Sequence, residues 1–466
     1  MTLNVDRPKL PEKIAFGFGD LASVLYWQTF MLYLTYFYTD VAMLPLGFIA
    51  GMLFWVRTWD WINDPIMGII ADRTNTKWGK FRPYLLWTCV PFAIAGVLCF
   101  TAPEMSMGWK MVWACATYIL LMTLYTVINI PYTAMLGVIS PESQDRTTIS
   151  SIKFLFAFGA GIIVSATLLP LTDLLGGGNE AQGWQYSFIL YGVAAVGFFL
   201  IAFFGTRERV QPPKKQKTPI GDDLADLFTN KPWLILTAMT LTFILYVGIR
   251  GSVTVHYLKY FVVEQEVWLP FVGSKLYGFK GLTSIFNTTG QACAFAGVLL
   301  IPFIARRIGK KNTFVLFFSI GIVSTAACYL LKPDQIYMLL GLQVIGSLTG
   351  GPMSVILWAM YADTADFGEW KFKRRATGLI FSASTASQKI GWALSASFAI
   401  LLMNSVGFVA NETQSPESLR GLVLLFSLIP AGLGIVSVAI SFFYPLTDNR
   451  VAKIEEELLE RKAEAE

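Results

Sequence analysis

The sequence predicts an all-α polytopic membrane protein with twelve transmembrane helices, and three observations carry that expectation. Of 466 residues, 55% are hydrophobic and only 14% are charged, where ordinary soluble domains carry about 25% charged residues. The apolar residues are gathered into runs that reach the length of about 20 residues needed to cross a bilayer. The runs are apolar all round, without the period-two alternation of barrel strands. A soluble globular enzyme is excluded, and nothing of domain size is left outside the spans.

In chain order the expected spans lie near 14–38, 45–71, 82–101, 110–139, 148–171, 184–206, 233–258, 278–304, 313–331, 335–362, 376–404 and 420–445. Gly, Pro or charge clusters bound each one. Met1 to Lys13 is polar, and the apolar run after it is too long for the core of a signal peptide, so no cleavable leader is expected. Sidedness follows from the positive-inside bias. The loops after even-numbered spans hold Arg73, Lys77, Lys80 and Arg82, then Arg146, then Arg207, Arg209, Lys214, Lys215, Lys217 and Lys231. The second half repeats this with Arg306, Arg307, Lys310 and Lys311, then Lys371, Lys373, Arg374 and Arg375. The opposite loops hold only Lys110, Lys259, Lys275, Lys280, Lys332 and Arg420. Both termini are therefore expected on the cytoplasmic side of a cytoplasmic (inner) membrane.

The longest hydrophilic stretch, Thr206 to Lys231, falls between spans six and seven and contains Gln211-Pro-Pro-Lys-Lys-Gln-Lys-Thr-Pro. It reads as a linker, with Asp222–Phe228 able to form a short surface helix. The expected organisation is an N-terminal six-helix bundle over 1–206, a cytoplasmic linker over 207–231, a C-terminal six-helix bundle over 232–446 and a cytoplasmic tail over 447–466. A basic, glycine-containing turn closes the second helix of each half: Asp72-Arg73 followed by Lys77-Trp-Gly79-Lys80, and Arg306-Arg307-Ile-Gly309-Lys310-Lys311. Two pseudo-symmetric six-helix halves flanking a midplane site are the major facilitator build.

Cys89, Cys99, Cys115, Cys293 and Cys328 all fall in apolar runs and form no CxxC or Cys/His cluster, so they read as small core residues. The single histidine, His256, leaves no material for a histidine-rich metal site and reads as buried or interfacial. No cofactor is expected, and no nucleic-acid partner. The expected partners are membrane lipids, a small-molecule substrate and a coupling ion, with the monomer as the working unit.

Ionisable groups inside the bilayer cost about 2.5–3.5 kcal/mol or more at its centre and so mark candidate sites. Span two carries Arg57, Asp60 and Asp64 on one helical face, with Asn63 beside them. Two carboxylates one turn apart cannot both stay ionised in a dry site without a cation or a shared proton. The face therefore offers hard oxygen ligands for sodium, or a proton-accepting pair. Asp20 lies deep in span one after Gly17-Phe-Gly19, where small residues permit close helix approach. Lys153 in span five and Lys389 in span eleven are its candidate partners. Span four adds Thr126 and Asn129-Ile-Pro131-Tyr132-Thr133, neutral hydrogen-bonding groups suited to hydroxyl-rich ligands. Trp27, Trp358 and Trp392 lie within spans, where an indole can stack on a pyranose face.

Together, Gly17-Phe-Gly19-Asp20, Tyr36-Phe-Tyr-Thr-Asp40, Arg57-Thr-Trp-Asp60-Trp-Ile-Asn63-Asp64-Pro65, Trp78-Gly-Lys-Phe-Arg-Pro83 and Asp363-Thr-Ala-Asp366-Phe-Gly-Glu-Trp370 resemble the glycoside–pentoside–hexuronide:cation symporters. The resemblance runs from about Glu12 to Tyr444. It implies the major facilitator fold and sugar uptake driven by a sodium or proton gradient. By this resemblance Asp60, Asn63, Asp64 and Thr126 fall at the cation site, Asp60 and Asp64 being the sodium carboxylates. Asp20 falls at the carboxylate for sugar hydroxyls, and Thr385 with Lys389 at the polar positions of span eleven. The melibiose-type pattern has aspartate at Asn129, arginine at Lys153 and an aromatic residue at Thr133. These departures resemble the xyloside and glucuronide branch more than an α-galactoside carrier. Exchanging a carboxylate for Asn129 while keeping Lys153 and Lys389 makes an anionic sugar electrostatically possible; a pentoside or xyloside fits as well.

At the inner end of span ten, Asp363, Asp366 and Glu369 crowd a helix C-terminus, where the helix dipole disfavours anions. Basic partners are required, and Arg73, Arg146, Arg374 and Arg375 are candidates. With Asp72, these charges read as a cytoplasmic gate. Two other functions are open to such a chain, a sodium-coupled lysolipid carrier and a membrane sensor that binds sugar without moving it. The first needs an apolar lateral cleft, the second an output domain.

Overall fold

A computed structural model describes residues 7–140, 143–209, 227–270, 273–373 and 377–465. Helix dominates because hydrocarbon offers no water to a stray backbone N–H or C=O, so each segment satisfies its own. The first elements are α1 (Leu10–Leu32), α2 (Leu46–Arg73), α3 (Arg82–Cys99), α4 (Met107–Ile139), α5 (Ser143–Gly176) and α6 (Glu180–Gly205). Then come α7 (Lys231–Tyr257), α8 (Phe279–Ile308), α9 (Lys310–Ala327), α10 in two pieces (Ile336–Gly350 and Met353–Phe372), α11 (Thr377–Ser405), α12 in two pieces (Pro416–Phe426 and Leu428–Phe442) and α13 (Asp448–Ala465). Pro11 and Pro232 sit in first turns, where their missing N–H costs nothing. Asn179, Asn230 and Ser415 cap α6, α7 and α12 by accepting from the amides of Gln182, Trp233 and Ser418.

Among the described residues nine stretches are long and apolar enough to cross a membrane, and they correspond to α3 through α10 and α12. The other three expected spans coincide with α1, α2 and α11. These helices carry Asp20, the Arg57/Asp60/Asp64 face and Lys389, and polar side chains lower their hydropathy.

Two segments differ from expectation. Between α7 and α8, where the sequence reads as a plain loop, strands β1 (Glu264–Leu269) and β2 (Gly273–Gly278) pair antiparallel with Glu266 opposite Leu276 and Trp268 opposite Ser274. Val267 is buried beneath the hairpin while Trp268 and Leu276 are exposed, the alternation of a one-sided strand. The segment after α12, read as a tail, forms α13. Its Val451, Ile454 and Leu458 recur on one face and are buried, and Trp370 Nε1 donates to Glu457 at 2.6 Å. Most of the expected Asp222–Phe228 helix lies outside the described residues.

The chain divides into two compact units: Met1–Lys214 with Phe279–Thr288 and Val409–Glu412, and Lys215–Gly278 with Thr289–Phe408 and Thr413–Glu466. In the first, α1 runs along α5 and α6, α3 along α4 and α6, and α2 along α4. Lipid is as apolar as leucine, so packing rather than hydrophobic transfer holds these helices together. Glycines allow the approach: methyl groups at Gly19, Gly96 and Gly183 would overlap the Tyr132 ring, the Tyr26 ring and the Thr172 carbonyl oxygen. An aromatic stack fills the interior, with Phe100 and Phe188 centroids 3.7 Å apart and the fully buried Trp184 against both. Lys280 of α8 joins this unit through ion pairs to Asp173 (2.6 Å) and Glu180 (3.0 Å).

At the start of α1, Lys13 bonds Asp145 at 2.5 Å, and Ser140 adds a second donor at 3.2 Å. The hydrogen bond from Lys13 holds the Asp145 carboxyl below the usual carboxylate range. A depressed folded value means that this tether is fully present above the ordinary carboxylate pKa of about 3.9 and is lost only as pH falls through the lowered value.

In the second unit, α7 packs on α11 and α12, α9 on α10 and α12, and α10 on α13. Trp233, Phe243, Tyr246, Phe318 and Tyr361 form its core. Tyr257 stacks on Phe426 at 4.0 Å, and buried His256 meets Phe408 edge-on at 5.5 Å. None of the five cysteines is in a disulfide.

Gly183→Ala is expected to force α5 from α6 and cost about 1–3 kcal/mol as overpacking, read as a lower unfolding midpoint in detergent. Gly197→Ala on the same helix, with nothing within 4 Å, is expected to leave the midpoint unchanged. Equal midpoints for the two variants would contradict the packing described.

Candidate functional site

The polar face of α2 meets α4 at one hydroxyl. Thr126 Oγ1 lies 2.6 Å from Asp60 Oδ1 and 3.1 Å from Asp64 Oδ1. Thr126, Asp60 and Asn63 are buried, while Asp64 is half-buried. One hydroxyl thus draws both carboxylates to the same point between α2 and α4. The Nδ2 of Asn63 is buried without a hydrogen-bond partner among the described atoms. Turning that amide over presents its oxygen in place of the orphaned donor. Two carboxylates thus meet the Thr126 hydroxyl, with the Asn63 amide on the same face of α2. Arg57, also buried on this face, interacts electrostatically with Tyr118.

A second polar group lies where α1 meets α4 and α5. Asp20 Oδ1 is 3.6 Å from Lys153 Nζ, and both side chains are mostly buried. Lys153 also sits over the Tyr132 ring, 5.5 Å from its centroid. Tyr132 is fixed in turn: its hydroxyl donates to the Phe16 carbonyl at 2.8 Å, and its ring stacks on Phe16 at 4.7 Å. Gly19 supplies the room for that ring. The gap at Asp20 is longer than a hydrogen bond, so the carboxylate keeps acceptor capacity for ligand hydroxyls. Asn129 is half-buried and Thr133 exposed on the same stretch of α4.

Tyr125 links the two groups. It lies near Asp20, Asp60 and Asp64, and it stacks on Trp27 at 5.7 Å. The sequence reading omits Tyr125, although its position next to Thr126 on a helix that carries the Asn-Ile-Pro-Tyr run is a usable signal. It also passes over Tyr132 as the support for Lys153.

In the second unit, half-buried Trp358 stacks on Phe381 at 5.9 Å and 5°. Exposed Thr385 returns its hydroxyl to the Phe381 carbonyl at 2.9 Å, and Lys389 is half-buried one turn on. Among the expected gate residues, Asp363 pairs with Lys310, Nζ lying 2.6 Å from Oδ1. For Asp363 a basic partner thus comes from α9, because Lys310 begins that helix beside the C-terminal part of α10. Asp366 and Glu369 are half-buried, Arg73 is exposed and Arg146 is half-buried next to Asp145. The Asp72 side chain, Arg374 and Arg375 lie outside the described residues.

Membrane-length helices with carboxylates and lysines set within them define a polytopic transporter of the major facilitator fold. The chain belongs to the MFS/sugar transport protein family, whose model matches residues 15–448. Its relatives include the inner membrane symporter YicJ of Escherichia coli K12, 32% identical over 97% of this chain and 95% of its own length. The isoprimeverose transporter of Lactiplantibacillus pentosus is 34% identical over 96% of this chain and 90% of its own. The putative glycoside/cation symporter YagG of Escherichia coli K12 is 32% identical over 97% and 96%. Among solved structures, a bacterial homologue of the human lysosomal transporter Spinster superposes with a TM-score of 0.65 over 96% of this chain and 97% of that one, at 15% identity. That likeness bears on the fold alone. The glycoside–pentoside–hexuronide:cation symporter resemblance is thereby established, and the protein is a transporter rather than an enzyme.

Asp60→Asn and Asp64→Asn are each expected to abolish cation binding to the purified protein, read by calorimetric titration with sodium chloride. Unchanged binding in both variants would remove this pair as the cation ligands.

Proposed function

We propose that this protein is a cation-coupled sugar symporter working by alternating access in the cytoplasmic membrane, as a monomer with both termini cytoplasmic and two pseudo-symmetric six-helix halves. The observation that carries the reading is the convergence of Asp60 and Asp64 on Thr126, with Tyr125 joining that pair to the Asp20–Lys153 group. Sodium is the favoured ion, because two carboxylates, the Asn63 amide and the Thr126 hydroxyl offer four oxygens, whereas a proton needs one base. Asp20 is assigned to sugar hydroxyls, with Lys153, Asn129 and Thr133 around it. Thr385 and Lys389 are assigned to the sugar by resemblance, and Trp358 as an indole able to stack on a pyranose face. Asp72, Arg73, Arg146, Asp363, Asp366, Glu369, Arg374 and Arg375 are assigned to the cytoplasmic gate.

The cation binds first and neutralises Asp60 and Asp64. Relief of repulsion lets α2 settle on α4 and fixes Tyr125 beside the sugar carboxylate, which makes the two binding events cooperative. The empty and the fully loaded carrier change access readily. A half-loaded carrier retains uncompensated buried charge, and that penalty is the source of coupling. The substrate class is a glycoside, pentoside or xyloside, or a hexuronide. The names of the relatives, an isoprimeverose transporter and a glycoside/cation symporter among them, support a sugar over a lysolipid.

Counterflow in proteoliposomes against a panel of glycosides, pentosides and hexuronides, with sodium or choline, tests the function; no counterflow with any sugar would overturn it. Asp20→Ala is expected to remove sugar binding with the cation response intact, since charge-assisted hydrogen bonds are worth about 1.5–3 kcal/mol each. A change in sugar affinity below threefold would make Asp20 structural. Asp60→Cys and Asp64→Cys are expected to abolish concentrative uptake while leaving sugar binding measurable. Sugar affinity at fixed pH should rise with sodium in the wild type and lose much of that response in Thr126→Ala. An affinity that ignores sodium and instead rises as pH falls would assign proton coupling.

A further inference from the structure

Each half of the chain closes the same turn with an acidic side chain that its charge pattern does not single out. After α2 the backbone passes through Gly79 at φ +111°, and α3 starts with no side-chain cap from Phe81. The amides of Lys80, Phe81 and Arg82 all donate to the carboxylate of Glu208, each at 2.8 Å. Glu208 follows the end of α6, so one carboxylate from beyond the last helix of the half caps the third. A methyl group at Gly79 would overlap that carboxylate. The flanking residues hold Glu208 in place: Arg209 makes a two-pronged pair with Glu12 at 2.7 and 2.8 Å, and the Arg207 amide donates to Glu12 at 2.9 Å.

The second half repeats the arrangement from independent residues. Gly309, at φ +88°, separates α8 from α9, and the Lys310 amide donates to Asp448 Oδ2 at 2.9 Å. Asp448 follows α12, as Glu208 follows α6, and a methyl group at Gly309 would overlap it. Lys310 extends the clasp to α10 through Asp363.

We propose that Glu208 and Asp448 are twin positioning residues of the transport cycle, each fastening the end of the last membrane helix of its half to the start of the third. With the clasp closed, α3 and α6 turn as one body, and so do α9 and α12. With it open, motion is absorbed within a half and access changes more slowly, while the sugar and cation groups keep their geometry. The inference rests on the transporter reading, and it applies to whichever sugar is carried.

The test has a structural and a functional arm. In hydrogen exchange on the purified apo-protein, Glu208→Ala is expected to speed exchange of the Lys80–Arg82 amides at least tenfold, with Asp448→Ala doing the same at Lys310. In proteoliposomes both variants are expected to lower the counterflow rate about tenfold with sugar Kd within twofold of wild type. Glu208→Gln, which keeps a neutral acceptor, is expected to fall between, and Gly79→Ala to reproduce Glu208→Ala. Should Glu208→Ala fail to fold, Glu208→Gln and Gly79→Ala carry both arms. Unchanged exchange, or faster exchange with an unchanged counterflow rate, overturns the proposal, as does a Kd that weakens in step with the rate. A wild type that moves none of the sugars counts against the sugar reading instead, and the exchange arm still decides whether the clasp exists.

Discussion

Two carboxylates directed at one hydroxyl inside the membrane are the constraint from which the rest follows. Asp60 and Asp64 meet Thr126 at 2.6 and 3.1 Å on a helix face that also carries Arg57 and Asn63. Gathering two carboxylates at one point in a low-dielectric setting is expensive, so whatever binds there changes the stability of the helix pair that holds them.

The Asp20–Lys153 group is arranged on a different principle. Asp20 and Lys153 stand 3.6 Å apart, close enough to hold each other's charge in the membrane yet too far apart to use up their hydrogen-bonding capacity. Tyr132, locked by its bond to Phe16 and admitted by Gly19, supports the lysine. Tyr125, next to Thr126 on α4, lies near all three aspartates and stacks on Trp27. Away from these groups, Glu208 and Asp448 accept from the backbone at the starts of α3 and α9.

Much of this was legible in the sequence. Apolar run length placed the helices, because in lipid the backbone has no alternative, and Arg57, Asp60 and Asp64 stood out as charges at helical spacing. Three helices that carry candidate site residues, α1, α2 and α11, are not among the nine strongly apolar stretches of the described residues. There the signal that marks the site blurs the span, whereas α4 and α5 keep theirs within apolar runs. The hairpin at 264–278 was missed because its short polar–apolar alternation looks like a loop between two long helices. The amphipathic face of α13 was missed because its three apolar anchors are diluted by glutamates and lysines. Lys310 as a partner of Asp363 is not legible in the charge pattern, because it reaches the carboxylate from another helix. Glu208 was hidden for the same reason: its partners are backbone amides some 126 to 128 residues away, and no side-chain pattern records them.

The central claim is that one cation on Asp60 and Asp64 raises affinity at Asp20. Linkage requires the effect to be reciprocal, typically about 5–150-fold in each direction. The most direct measurement is calorimetric titration of purified protein with a transported sugar at zero and saturating sodium, and with sodium at zero and saturating sugar. The account predicts that the two ratios of dissociation constants agree and exceed fivefold. A sugar affinity independent of the cation, with both sites still occupied, would contradict it.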